Sequence, residues 1–202
     1  MARPGKRWRH VIVNTLSSWL HGDSRGFRNR RHRVHSSGDY RDRPPAGEHA
    51  GLLQYQEDHS RDRVSVEKDL RPVIGRSLVA QLLEDDHDVL CAAVTGTHAH
   101  FLVELSDNIV RIRAIVGKAK RISSRAVKAD LPGSVWSSGA TFKAIKDRRH
   151  QFVAFEYILY DQGADVWTWS VRDKSFEGRF GRKRPSKKSR TPHAGAEWRR
   201  KT

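Results

Sequence analysis

Two histidines one residue apart, His98 and His100 in THAHFLVEL, open an apolar run, and an aromatic stretch, FEYILYD, follows about sixty residues later. In an extended strand, residues i and i+2 project to one face. The two imidazoles therefore stand side by side, with Ala99 and Phe101 on the opposite face. Paired imidazoles are half of a metal site, and the rest must come from elsewhere in the chain. On a helical wheel with Phe155 at the centre of the buried stripe and Phe152, Ile158 and Leu159 beside it, Tyr157 falls roughly opposite that centre. Asp161 and His150 project to the same side as Tyr157. Tyr157 and Asp161, at i and i+4, can meet. A tyrosine turned away from its helix's own core needs another surface to face, and the His98/His100 strand is the natural one. Tyr160 lies nearer the flank of the helix and has no acidic residue four positions on, so Tyr157 is preferred.

Such a set could nick single-stranded DNA. A divalent cation held by two imidazoles and one oxygen donor leaves positions open for oxygens of a scissile phosphate, and offsets charge in the transition state. Tyr157 would attack and keep the strand as a phosphotyrosine. A free tyrosine ionises at about pH 10, so a nearby cation and lysines are needed to activate it. Two other two-histidine chemistries are excluded. Histidine-triad hydrolases need a third alternating histidine, where this chain has Leu102, and the pair of H-x-T/S motifs of two-histidine phosphoesterases is not present.

The elements that must position these residues can be read from pattern. WRHVIVN, 8–14, reads as a strand, and 66–87 as a helix through Leu70, Val73, Ile74, Leu78, Leu82 and Leu83. Residues 88–95 and 98–105 form a hairpin around a short Gly-containing connection. A basic amphipathic helix spans 107–129, with Asp107 as N-cap and Ile109, Ile112, Val116, Ala119 and Ile122 as its apolar stripe. An extended segment follows over 135–146 with a kink at Gly139, and Asp147 caps a last helix. This order predicts an α+β fold: a ferredoxin-like antiparallel sheet with helices on one face. One domain spans 1–170. It carries a long irregular N-terminal insertion over 15–65, where His21, His32, His35, Asp23 and Asp39 read as scattered polar loop residues rather than a zinc site. Residues 171–202 read as a disordered basic tail.

The 202-residue chain carries a net charge of +16 and only 37% apolar residues. Such a field favours a polyanionic partner, most simply nucleic acid. Residues 178–202 hold ten Lys or Arg against one Glu, a source of salt-dependent affinity by counterion release. Arg25, on a Gly22–Gly26 turn, together with Lys118, Lys120, Arg121 and Lys143, are candidate phosphate contacts. Cys91 is the single cysteine, which excludes an intramolecular disulfide and a Cys-rich zinc module. The apolar part of the N-terminus is short and broken by Asn14, Ser17 and Ser18, unlike a signal peptide. No stretch approaches transmembrane length. A soluble, cytoplasmic protein is expected, with no membrane partner.

THAHFLVEL resembles the His-hydrophobic-His motif of the HUH nucleases, and FEYILYD is similar to their single-tyrosine helix. The order of the two motifs resembles the single-tyrosine transposases, including the REP-associated tyrosine transposases. SSWLHGDSRGFRNRRHR, with DRRHQFVAFEYI and QGADVW, looks like a subgroup carrying a W-L-x-G-D-x-R-G stretch after the first strand. The resemblance covers residues 8–170. It implies Mg²⁺ or Mn²⁺ dependence, recognition of single-stranded DNA at hairpin ends, and a 5′-phosphotyrosine intermediate with a free 3′-hydroxyl. By position it makes His98 and His100 metal ligands and Tyr157 the nucleophile. The family's third ligand, one turn after the tyrosine, is usually Gln, Asn or His; here that place holds Asp161. Some members are dimers that exchange the tyrosine helix, so a monomer or a homodimer is expected. Two other readings are a DNA-binding descendant without chemistry and an RNA-binding module. The latter lacks the aromatic-rich sheet motif that stacks bases.

Overall fold

The computed structural model describes residues 2–29, 33–39 and 41–173. His32 and the expected disordered tail from 174 onward lie outside the described residues. Among the described residues, five strands form one sheet in the order β4-β1-β3-β2-β5. They are β1 (Lys6–Asn14), β2 (Val89–Val94), β3 (His98–Ser106), β4 (Thr141–Ala144) and β5 (Trp167–Ser170). Every neighbouring pair is antiparallel. β1 and β2 both flank β3 and so run parallel, joined through helix α2 (Arg71–Glu84). β3 and β4 likewise flank β1, joined through α3 (Ile109–Ala126). These two interleaved β-α-β units make the expected ferredoxin-like arrangement. β5, which the sequence pattern did not indicate, extends the sheet beyond β2.

The strands sort their residues by face because successive side chains alternate. Val11, Val13, Ala99, Phe101, Val103 and Leu105 point to one face, where Ile74, Leu78 and Leu82 of α2 and Ile112, Val116 and Ala119 of α3 close the main core. The other face carries Cys91, Ala93 and Leu102 beneath Ala154 and Ile158 of α4 (Arg148–Tyr160). The expectation of helices on one face therefore holds for α2 and α3 but not for α4. A short strand pair such as β2–β3 exposes two apolar faces, and one helical layer covers only one of them. A register shift between Val89 and Cys91 turns Cys91 toward the α4 side. Burial pushes its thiol up to about 12, so it stays protonated.

The starts of α3 and α4 were read to within one residue, whereas the helix read over 66–87 begins only at Arg71, after a 3-10 turn over Lys68–Leu70, and ends at Glu84. Asp147 caps α4 by accepting from the His150 N–H at 2.7 Å. The α3 cap is Asn108 rather than Asp107, accepting from Val110 and Arg111 N–H. Asp107 instead pairs with Arg7 and Arg9 across the sheet end.

The insertion is a closed excursion from the end of β1. Val64 N–H donates to Leu16 C=O at 3.0 Å, and Thr15 Oγ1 donates to Val64 C=O at 2.6 Å, so its exit is pinned to its entry. It contains a further helix, α1 (Ala50–His59), that has no buried residue. Gly22 (φ +93°) and Gly26 (φ +88°) explain the spacing of the G-D-x-R-G stretch. A Cβ on Gly22 would lie 2.5 Å from the Leu53 nitrogen of α1, and one on Gly26 would lie 2.8 Å from Asp39 Cα. Positive φ costs a non-glycine residue about 1–3 kcal/mol, and the backbone clash adds to that. Gly22→Ala should therefore open residues 41–63 to limited proteolysis while leaving amide exchange in β1 and β3 unchanged. Unaltered proteolysis would contradict the packing described.

Candidate active site

His98 and His100 lie on the α4 face of β3. Directly across on β1, Asn14 is the partner of His98 and Ile12 the partner of His100. His10, two residues further along the same face, is the diagonal neighbour of His100, and its own β4 partner is Lys143. The β-register thus assembles three imidazoles and one ammonium group on one surface. His10 Nε2 and His100 Nδ1 are 2.8 Å apart, and the His98 and His100 ring centroids are 4.7 Å apart.

The last helix brings the phenol to them. α4 fully buries Ala154 and Ile158, with Phe155 and Leu159 partly buried against the same cluster, while Phe152 is 61% exposed. With the stripe so centred, Tyr157 sits roughly a quarter-turn from the packed line instead of opposite it. Because α4 covers the same sheet face that bears the histidines, this flank position suffices. The Tyr157 ring stands edge-on at 5.7 Å from the His100 centroid and 5.9 Å from that of His10, within one chain. Tyr160 is 70% exposed on the outer side of the helix.

The donor that faces His98 is Gln162, not Asp161. Asp161 is exposed and ends the helix, its backbone N–H on Tyr157 C=O at 3.2 Å. The Gln162 Nε2 donates to the same carbonyl at 2.9 Å, which turns its Oε1 toward His98 Nε2 at 3.4 Å. Sequence reasoning missed this because it carried the helical i+4 spacing past the residue where the helix stops. A residue after the last turn can fold back, and the amide adds a second donor to the Tyr157 carbonyl at the helix end. His10 was missed as well. Its signal was present in WRHVIVN, where it shares the strand face of Ile12 and Asn14.

Electrostatics keeps these rings neutral. Burial, ahead of the charges of His98, His10 and Lys143, lowers the His100 imidazole to about 2. Burial, with Lys143 and His150, lowers His10 to about 4. His98 is also lowered, by burial first and by Arg25, although its bond to Gln162 works the other way. Neutral imidazoles keep lone pairs available for a cation.

The hydrogen-bond pattern suits a divalent ion at this place. His100 Nε2 is buried with no partner. His98 Nδ1 lies 3.1 Å from both Thr95 Oγ1 and Thr97 Oγ1. With the proton on Nδ1, donated to Thr97 Oγ1, Nε2 carries the lone pair a cation would take; with the proton on Nε2, it donates to Gln162 Oε1. Donors at adjacent octahedral positions, each about 2.1 Å from Mg²⁺, are about 3 Å apart. Among the described residues, no group of three or more His, Cys, Asp or Glu side chains could hold a metal ion. Gln162 Oε1, which faces His98, is an amide oxygen and lies outside those residue types.

Of the five basic residues singled out, two adjoin the histidines. Lys143 is exposed on their face. Arg25 is fixed by Asp23 and by Ser18 C=O at 2.7 Å, and its charge reaches His98. The other three lie on α3, across the sheet. Lys118 pairs with Asp85 at 2.7 Å, and Lys120, 9% exposed, donates to the Ser137 and Gly139 carbonyls. Both therefore have partners within the chain. Arg121 is exposed and lines a groove with Arg125 and Lys128.

No family model matches the chain, and no curated protein matches it. A solved structure of a REP-associated tyrosine transposase bound to a REP hairpin is similar to it, at 18% identity over 78% of this chain and 67% of the other, with a TM-score of 0.36. Among the described residues, no helix is long and apolar enough to cross a membrane.

Proposed function

We propose that this protein is a metal-dependent single-strand DNA endonuclease and strand transferase of the tyrosine HUH transposase type. The observation that supports it best is the convergence of Tyr157, from α4, on the His98/His100 face of the sheet. His98 Nε2, His100 Nε2 and Gln162 Oε1 would hold Mg²⁺ or Mn²⁺. When bound, the cation supplies Lewis-acid polarisation of the scissile phosphate.

The chain's own residues do the rest. Lys143 adds positive charge on the face where phosphate negative charge must be accommodated. The Tyr157 oxygen, losing its proton, forms a bond to phosphorus as the phosphorus–O3′ bond breaks. The departing O3′ takes up a proton to become a free 3′-hydroxyl, and the 5′-phosphate remains on the tyrosine. Attack by another 3′-hydroxyl reverses the step and joins strands. Because one P–O bond is exchanged for another, no nucleoside triphosphate is required.

The test is incubation of labelled single-stranded hairpin DNA with the full chain and Mn²⁺. A denaturant-stable protein–DNA adduct with a free 3′-hydroxyl on the released piece is expected, and none in EDTA. One rival is a DNA-binding protein without chemistry, motivated by Asp161, which holds the place of the third ligand yet is exposed at the helix end. That reading predicts hairpin binding indifferent to EDTA and no adduct on any strand.

His10 is the positioning residue of this site. Its Nε2 at 2.8 Å from His100 Nδ1 occupies the place usually taken by a carboxylate or carbonyl behind a metal-bound imidazole. For His100 to offer Nε2, its Nδ1 must carry the proton and donate it to His10. His10→Phe keeps ring packing and removes that acceptor, and should weaken Mn²⁺ binding by about 10–100-fold. His10→Gln, which retains an acceptor, should recover most of it. Calorimetric Mn²⁺ titration reads both, and equal affinity in all three proteins would refute the role.

A further inference from the structure

Immediately beside His98, the insertion hollows out a cavity of about 400 Å³ lined by Asn14, Trp19, His21, Arg25, Phe27 and Arg28, among others. Asn14 belongs to β1 and is the cross-strand partner of His98 itself, so the cavity and the candidate cleavage site share a wall. The remaining lining residues come from the W-L-x-G-D-x-R-G segment and the loop after it, which the mechanism does not otherwise use.

Its chemistry is that of a stacking platform. Trp19 is 43% exposed, yet held: its indole N–H donates to Gly26 C=O at 2.8 Å, and the Arg25 guanidinium lies 4.5 Å from its ring centroid. Arg25 is itself fixed by Asp23 and Ser18. Phe27 is buried between the rings of His21, at 5.5 Å, and His49, at 5.0 Å, which fixes the aromatic floor. A phosphate alone is a weaker fit, because the Arg25 charge is matched by Asp23 and Asp39 shares the wall with Arg28. A planar, polar-edged ring fits better: aromatic and guanidinium planes stack bases, and a carboxamide such as Asn14 reads a base edge.

We propose that this cavity binds one nucleobase of single-stranded DNA adjacent to the scissile phosphate, making the insertion the element that selects where the strand is cut. The proposal rests on the reading of His98, His100 and Tyr157 as the cleavage site. Binding of the base orders the strand across Asn14, so that its neighbouring phosphate lies over the histidines.

Fluorescence anisotropy with the full chain in EDTA tests it, using labelled single-stranded 12-mers in which one abasic position is moved along the sequence. One position should lose about tenfold in affinity, in line with the loss of a single stacked base, while the others change little. Trp19→Ala should lose a similar factor on intact DNA and nothing further on the strand abasic at that position; Trp19→Phe should stay within about threefold of the unsubstituted protein. An affinity insensitive to abasic position, or a Trp19→Ala loss equally large on both strands, overturns the proposal. The wild-type abasic scan does not depend on any variant folding. Position-specific loss without an Mn²⁺-dependent adduct keeps the pocket and removes the nicking chemistry. An adduct without position-specific loss removes the pocket alone.

Discussion

Tyr157→Phe should abolish the covalent protein–DNA adduct, and Tyr160→Phe should leave it intact. The two phenols are three residues apart on α4, yet only Tyr157 meets the histidine rings, at 5.7 and 5.9 Å, while Tyr160 is 70% exposed. Phenylalanine preserves the edge-on ring contacts, which depend on the ring and not on its hydroxyl. The variant should therefore fold, bind Mn²⁺ and bind hairpin DNA as the unsubstituted protein does. What it lacks is the one oxygen able to bond to phosphorus, so the loss should be complete rather than graded. Denaturing gel analysis of labelled DNA reads the outcome. An adduct that survives in Tyr157→Phe and vanishes in Tyr160→Phe would reverse the assignment and require α4 to turn.

The second large effect concerns the cation. His100→Ala removes the buried, partnerless Nε2, and Gln162→Ala removes the oxygen that faces His98. Each should weaken Mn²⁺ binding by at least the factor of about 10–100 associated with loss of an outer-shell partner, and His100→Ala should weaken it most. Asp161→Asn should stay within about threefold, because its side chain is exposed at the helix end. Calorimetric titration with Mn²⁺ gives affinities without relying on turnover. If Asp161→Asn were the damaging change and Gln162→Ala the silent one, the donor set would have to be redrawn around the carboxylate.

Much of the framework was legible because it is written in periodicity. Alternation in 98–105 set His98 and His100 on one face, and the Asp147 cap and the α3 stripe through Ile112, Val116 and Ala119 were readable from local pattern. What escaped depends on long-range pairing. The role of His10 follows from the β1–β3 register, which no local window contains. On α4 the packed line lies to one side of Phe155, which the helical wheel alone does not fix. The surface above Cys91, Ala93 and Leu102 fully buries Ala154 with Ile158 and packs Phe155 and Leu159 only partly. Lys118 and Lys120 looked like free charges on a helix face until Asp85 and the 137–139 carbonyls came into contact with them. β5 is four residues long and carries no strong alternation, so only its pairing with β2 reveals it.

The side-chain amide of Gln162 grips the main chain of Tyr157 with one end and faces His98 with the other. The proposed nucleophile and the oxygen proposed to face the ion are thereby mechanically geared. A rigid swing of α4 that carried a tethered strand outward would pull that oxygen off the sheet in the same stroke. The grip on the ion would slacken whenever cargo departs and be restored when the helix re-seats.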